Sequence, residues 1–302
     1  MEYVPLGRTD MEVSEIGLGA MQINCKPGFK GAEEGDEPLA VRAVQTAVAE
    51  CGVNFIDTAR WYYRSQEVIG RALADLDGGR DVFIATKVSP DTDPAKVIDQ
   101  VEVCLRDLRR DCVDLMQLHS AVDPVTRDAA LPVLQTLRDE GKIRYLGVTM
   151  GYGAAVPEQA MRCIESGDYD AIQLHVNALH PVFAREVLPA ARSAGLGTLA
   201  MNPQCGGYLA KRCPDPGAYD LSFLADLGVT TLHEAALKWC VSLDGLDVAI
   251  PGSKRPEHIR ANCAVSDGRY MTPEQRTRLE EMLAGTIDTS EDWDWDPASA
   301  GS

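Results

Sequence analysis

The chain has 302 residues, 45% hydrophobic and 25% charged, proportions that suit a globular protein and exclude a disordered one. A formal net charge of -17 argues against a nucleic-acid partner, which draws on clustered Lys and Arg, and no apolar run approaches the ~20 residues of a membrane span. Nine cysteines without a C-x-x-C spacing read as reduced thiols, and Met1-Glu2-Tyr3 opens without a basic-then-apolar leader, so the expected compartment is the cytoplasm.

In chain order, a short opening segment with Gly7-Arg8-Thr9-Asp10 as its turn suggests a hairpin. Short β-rich runs then alternate with longer helical patterns. The expected strands are Glu15 to Leu18, Asn54 to Ile56, Val82 to Thr86, Val113 to Leu118, Tyr145 to Val148, Ala171 to Leu174, Gly197 to Met201 and Val248 to Ile250. Most are continuously apolar, as parallel strands buried on both faces require.

Between them the pattern predicts helices at Pro38 to Glu50, Gln66 to Leu76, Ala95 to Leu108, Ala129 to Glu140, Pro157 to Ser166, Pro181 to Ala194 and Thr231 to Ser242. Ala40, Ala43, Val44, Ala47 and Val48 form one apolar stripe, and Gly141 and Gly195 stand where a left-handed residue ends a helix. About eight such units predict a (β/α)₈ TIM barrel, with a doubly wound open sheet as the alternative. The barrel domain is expected over residues 1 to 285. Asn24 to Asp36 is a polar loop after the first strand. The acidic tail from residue 286 to 302, with Trp293 and Trp295, is either a frayed end or a flap over the pocket.

Gly17-Leu18-Gly19-Ala20 lacks the third glycine of a dinucleotide fingerprint, since residue 22 is Gln, and no phosphate loop, zinc-protease or nucleophile-elbow motif is present. The candidates for chemistry lie elsewhere. Asp57, Lys87 and His119 each follow an apolar run directly, and Tyr62 sits one loop beyond Asp57. In a barrel all four would face the mouth where active sites form. A phenol with an ordinary pKa near 10 transfers protons poorly unless a cation stabilises its phenolate. Lys87 can supply that cation, Asp57 can keep the lysine charged, and His119 can orient a substrate oxygen. Each residue alone has a structural reading as cap, pocket wall or core member; the combination is harder to explain that way.

Asp57-Thr58-Ala59 to Tyr62, then Ser65, Ile69-Gly70 and Ala72-Leu73, resembles the signature of the aldo-keto reductases. Thr86-Lys87, the run Val113 to His119, Gly141 to Val148, and Ile250-Pro251-Gly252-Ser253 with Asn262 match in the same order, so the resemblance covers roughly residues 3 to 284. It implies a (β/α)₈ barrel, a nicotinamide cofactor held without a Rossmann domain, and a tetrad of Asp57, Tyr62, Lys87 and His119. Tyr62 would protonate a carbonyl oxygen as hydride arrives, and would act as base in the reverse direction.

By the same resemblance Thr149 and Gln173 would bind the nicotinamide carboxamide, and Met201 and Asn202 would lie against the ring. Gly252, Ser253, Lys254 and Arg255, with His258 and Asn262, would hold the adenosine end. Several positions depart from the family pattern: Thr149-Met150 replaces Ser-Asn, Tyr63 replaces glycine, Gln66 replaces glutamate, and Met201 stands where an aromatic is frequent. Gly252 and His258 replace basic residues, yet Lys254, Arg255 and Arg260 supply cations suited to a 2′-phosphate. The expected cofactor is therefore NADPH, with NADH as the alternative. Trp61 and Tyr63 would wall the pocket for a small carbonyl or alcohol substrate. Two other functions compete: a nicotinamide-binding regulatory subunit, and a lyase using Lys87 as Schiff-base nucleophile. A monomer is the default, because no apolar surface element is left over.

Overall fold

The computed structural model describes residues 1–28, 36–151, 156–205, 209 and 219–284. The opening hairpin pairs β1 (Tyr3–Pro5) with β2 (Glu12–Ser14), Tyr3 opposite Ser14 and Pro5 opposite Glu12. Its turn carries Leu6 and Met11 into an apolar cluster with Phe55, Ala85, Leu115, Ala171, Leu199 and Val248. Gly197 makes room for it, since a Cβ there would stand 2.6 Å from the Leu6 Cγ. The hairpin thus plugs the end of the sheet where strands begin.

Eight parallel strands follow: β3 (Leu18–Gly19), β4 (Phe55–Asp57), β5 (Phe83–Val88), β6 (Val113–Leu118), β7 (Ile143–Thr149), β8 (Ala171–His175), β9 (Gly197–Met201) and β10 (Val248–Ala249). Each pairs with its neighbours in chain order. Parallel bridges from Ile16 to Ala249 and from Gly19 to Gly252 join the last strand to the first. The Gly17 N–H donates to the Ala249 carbonyl, and the Ala249 N–H to that of Glu15, both at 2.9 Å. The sheet is therefore curled into the expected (β/α)₈ barrel.

Helices α1 (Glu37–Gln45), α2 (Ser65–Ala74), α3 (Pro94–Leu108), α4 (Pro124–Asp139) and α5 (Val156–Ser166) lie around it, then α6 (Val182–Glu186), α7 (Leu188–Ser193), α8 (Leu232–Val241), α9 (Pro256–Ala264) and α10 (Pro273–Ala284). Their apolar faces and the outer faces of the strands share one large core. α1 continues into a π-helical turn, Thr46–Glu50.

Local chemistry sets the ends of these helices. α4 starts at Pro124, earlier than the apolar spacing suggests, because the Asp123 carboxylate accepts from the N–H groups of Val125 and Thr126. α8 opens on a reciprocal capping box between Thr231 and Glu234. The stretch from Pro181 to Ala194 reads as one helix in sequence but is two, because Pro189 has no N–H to donate and sits at the start of α7. Gly141 and Gly195 take φ of 79° and 73°, the left-handed conformation that ends a helix. Among the described residues, no helix is long and apolar enough to cross a membrane. The acidic tail and most of the loop after Gly28 lie outside the described residues.

Candidate active site

Barrel register brings the four candidates together. Asp57 ends β4 and Lys87 lies one residue from the end of β5; both are almost wholly buried. The Lys87 ammonium donates to Oδ1 of Asp57 at 2.6 Å and to the Thr58 carbonyl at 2.8 Å. It also stands 5.2 Å from the centroid of the Tyr62 ring. His119 follows β6, its N–H bonded to the Val88 carbonyl, and its imidazole meets the Tyr62 ring edge-to-face at 6.0 Å and 82°. One lysine therefore touches a carboxylate on one side and overlies a phenol on the other, with an imidazole completing the cluster.

The loop that presents Tyr62 is pinned at both ends. The Tyr62 N–H donates to the Ala59 carbonyl, and the Ser65 N–H to that of Tyr62. Below it the hydroxyls of Thr58 and Ser65 share a buried bond of 2.7 Å. Gln66, where the family has glutamate, is buried and donates to the Thr86 hydroxyl beside Lys87 at 2.8 Å. The neutral amide thus braces the lysine-bearing strand without adding a second carboxylate to the interior.

Burial sets the protonation states. It raises the Tyr62 pKa above the usual phenol value, and the opposing pull of the Lys87 ammonium does not overcome it. Lys87 acts in the direction expected from sequence, but desolvation wins and Tyr62 rests as a phenol. Burial likewise raises the Asp57 carboxyl against the pull of Lys87 and two amide donors. His119 is driven down to about 3, first by burial and then by Lys87, so its imidazole is neutral across the physiological range and can donate from one nitrogen.

Two buried side chains at this site were not singled out in the sequence. Gln117 of β6 donates to Oδ2 of Asp57 at 3.2 Å. His175 ends β8, and its Nδ1 faces the Asn202 amide nitrogen at 3.1 Å. An amide nitrogen can only donate, so that ring carries its proton on Nε2. Burial holds this imidazole near pKa 3 as well. The available signal was a polar residue inside an otherwise apolar strand, in Leu-Met-Gln-Leu and Ile-Gln-Leu-His, where burial demands a partner.

The residues expected at a nicotinamide lie at the ends of the next strands. Thr149 ends β7 and its hydroxyl accepts from the Ser120 N–H at 2.8 Å. Gln173 donates weakly to Oδ1 of Asp57 at 3.4 Å. Its carbonyl oxygen is buried and has no hydrogen-bond partner among the described residues, an acceptor suited to a carboxamide N–H. Met201 ends β9, and Asn202 follows with a φ of 52°. These residues fit a nicotinamide cofactor.

The adenosine-end candidates form a separate group after β10. Gly252 lies so close to β3 that a Cβ would come within 2.9 Å of the Gly19 carbonyl. The Ser253 hydroxyl accepts from the Arg255 N–H at 3.1 Å just ahead of α9, which carries His258 and Asn262. Asn262 accepts through Oδ1 from Gln204 at 3.0 Å. Lys254 is ion-paired to Asp36 at 2.6 Å.

At the rim, the Trp61 indole is 62% exposed and donates from Nε1 to the Ser89 hydroxyl. Tyr63 takes a φ of 49°, and the Lys26 ammonium sits 3.9 Å from its ring centroid. Both aromatics stand beside Tyr62. Gly206, Gly207 and Tyr208 lie outside the described residues.

Residues 15–284 match the model of the Aldo/keto reductase family. Aldo-keto reductase YhdN of Bacillus subtilis is 25% identical, with 95% of each chain covered. The NADH-specific methylglyoxal reductase of Escherichia coli is also 25% identical, over 87% of this chain and 93% of that protein. Among solved structures, aldo-keto reductase AKR11C1 of Bacillus halodurans superposes with a TM-score of 0.76 at 25% identity, covering 96% of this chain and 99% of the other. A family match across nearly the whole chain, on a barrel with this buried Asp-Lys-Tyr-His cluster, leads to one conclusion: the chain belongs to the aldo/keto reductase family of oxidoreductases.

Proposed function

We propose that the protein reduces an aldehyde or ketone to an alcohol, reversibly, with a nicotinamide cofactor as hydride partner and Tyr62 as proton donor. The observation that carries this reading is the Lys87 ammonium, held at 2.6 Å by Asp57 and 5.2 Å from the Tyr62 ring. Tyr62 rests protonated, the state a reduction needs, and a phenolate formed by proton loss is stabilised by the adjacent cation. His119, neutral, donates to the carbonyl oxygen and aligns it beside the phenol. When bound, the cofactor supplies the hydride. Thr149 and the open acceptor of Gln173 orient its carboxamide, Met201 and Asn202 support the ring, and Ser253, Lys254, Arg255, His258 and Asn262 hold the adenosine end. Trp61 and Tyr63 wall the entrance, which suits a small carbonyl compound with an apolar or polyhydroxy body.

The same ion pair works against Lys87 as a Schiff-base nucleophile, since an amine engaged as an ammonium has no lone pair to attack a carbonyl. The complete Asp-Lys-Tyr-His cluster likewise favours a catalyst over a cofactor-sensing subunit. Titration with NADPH and NADH, followed by nicotinamide fluorescence, tests the first half of the proposal: binding of neither would end it. A panel of aldehydes and ketones followed by nicotinamide absorbance tests the second. Turnover should collapse in Tyr62→Phe, and turnover that survives would place the proton donor elsewhere.

A further inference from the structure

Lys254 reaches back across the closure of the barrel to Asp36, the residue that precedes α1, and the two form an ion pair of 2.6 Å. Both side chains are largely shielded, 21% and 16% exposed. Arg260, within α9, donates twice to Glu50 Oε2, at 2.9 and 2.7 Å. Two of the three cations in this stretch are thus engaged by carboxylates. The third, Arg255, is exposed, and among the described residues no carboxylate lies within ion-pairing distance of it.

NADPH and NADH differ at one place, the 2′ position of the adenosine ribose, where a phosphate of charge near -2 replaces a hydroxyl. We propose that Asp36 tunes the choice between the two by competing with the 2′-phosphate for Lys254, an inference that rests on the cofactor reading above. For the phosphate to use Lys254, a short charge-assisted bond has to open. The phosphate would then also stand near the Asp36 carboxylate, a like charge in a poorly solvated place. A 2′-hydroxyl meets neither obstacle and can itself donate to a carboxylate. Arg255 remains available to a phosphate, so NADPH is accepted, but with less advantage over NADH than the sequence suggests. A relative of equal identity described as NADH-specific agrees with a family in which this preference is adjustable.

The test is the ratio of dissociation constants for NADH and NADPH, read by fluorescence titration without any substrate. Asp36 makes no side-chain capping bond to α1, so Asp36→Asn should fold normally, which a thermal melt checks. Removing the Asp36 carboxylate in Asp36→Asn should shift the ratio about tenfold toward NADPH, the scale of one charge-assisted bond. In the Lys254→Ala background the same Asp36→Asn change should shift the ratio distinctly less than in the parent, because competition for the lysine is gone and only the direct effect of the carboxylate on the 2′ group remains; an equal shift in both backgrounds overturns the competition. A ratio in Asp36→Asn within twofold of the parent overturns the assignment while leaving cofactor binding intact. Failure of the parent protein to bind either cofactor overturns both this inference and the reading it rests on.

Discussion

Gln117 donates from its amide to Oδ2 of Asp57 at 3.2 Å, across the barrel interior from β6 to β4. Register sets it beside Lys87 on one flank and Gly147 on the other. A Cβ at Gly147 would stand 2.8 Å from the Gln117 Cγ, so the missing side chain on β7 gives the amide its room. Lys87 and Gln173 hold one carboxylate oxygen and Gln117 the other. Asp57 is therefore fixed in direction.

Gln117→Leu keeps the volume and removes the donor. Hydrogen bonds to charged groups contribute about 1.5–3 kcal/mol, so kcat/KM for carbonyl reduction should fall by roughly 10- to 100-fold. The cofactor dissociation constant should stay within about twofold, because Gln117 is expected to touch no part of it. Unchanged steady-state kinetics would show that Lys87 alone orients Asp57.

Asp57→Leu strands the Lys87 ammonium in the interior. Breaking one side of a buried pair costs about 3–5 kcal/mol, visible in urea unfolding. Adding Lys87→Met should recover most of that stability, because two well-packed apolar side chains replace the pair, while turnover stays lost. Recovery of turnover in the double variant would remove the pair from the chemistry.

Asp247 gives stability an unusual slope with pH. Its Oδ2 accepts from the N–H groups of Gly7 and Thr198, both at 3.0 Å, tying the plugging hairpin to β9, and burial raises its pKa to about 6. The folded state holds this proton more tightly than the unfolded chain does. The contribution is full below about pH 4 and is lost as pH rises through about 6, a difference of ~3 kcal/mol. In Asp247→Asn the fall between pH 4 and 6 should vanish, as read by urea unfolding across that range. A variant that keeps the parent's slope would place the titrating group elsewhere.

The two mouth histidines act in the opposite sense. With folded pKa values near 3 against about 6.5 unfolded, each supports the fold fully above pH 6.5 and loses that support as pH falls toward 3. His119 should accordingly impose no ionisation near 6.5 on kcat/KM for reduction. His119→Asn should be slower at every pH with the same profile shape. A pKa near 6.5 that disappears in His119→Asn would show that substrate access hydrates the imidazole.

Much of this molecule is determined by the sequence alone. Continuous apolar runs spaced by helical stripes specify parallel strands buried on both faces, and about eight such units leave few architectures. Asp57, Tyr62, Lys87 and His119 are legible because a polar residue at the end of each run, or just beyond it, marks the barrel mouth. Helix starts are less legible where an Asp-Pro cap outranks periodicity, as at Asp123, and helix continuity fails at Pro189 for want of one donor. The tertiary structure alone decides the pairings. Gln117 with Asp57, His175 with Asn202, and Asp36 with Lys254 join residues far apart in the chain, and strand register and barrel closure bring them within bonding distance. Protonation is decided there too: the sequence supplies a lysine to lower the tyrosine pKa, but the burial that the fold imposes outweighs it and leaves Tyr62 holding its proton.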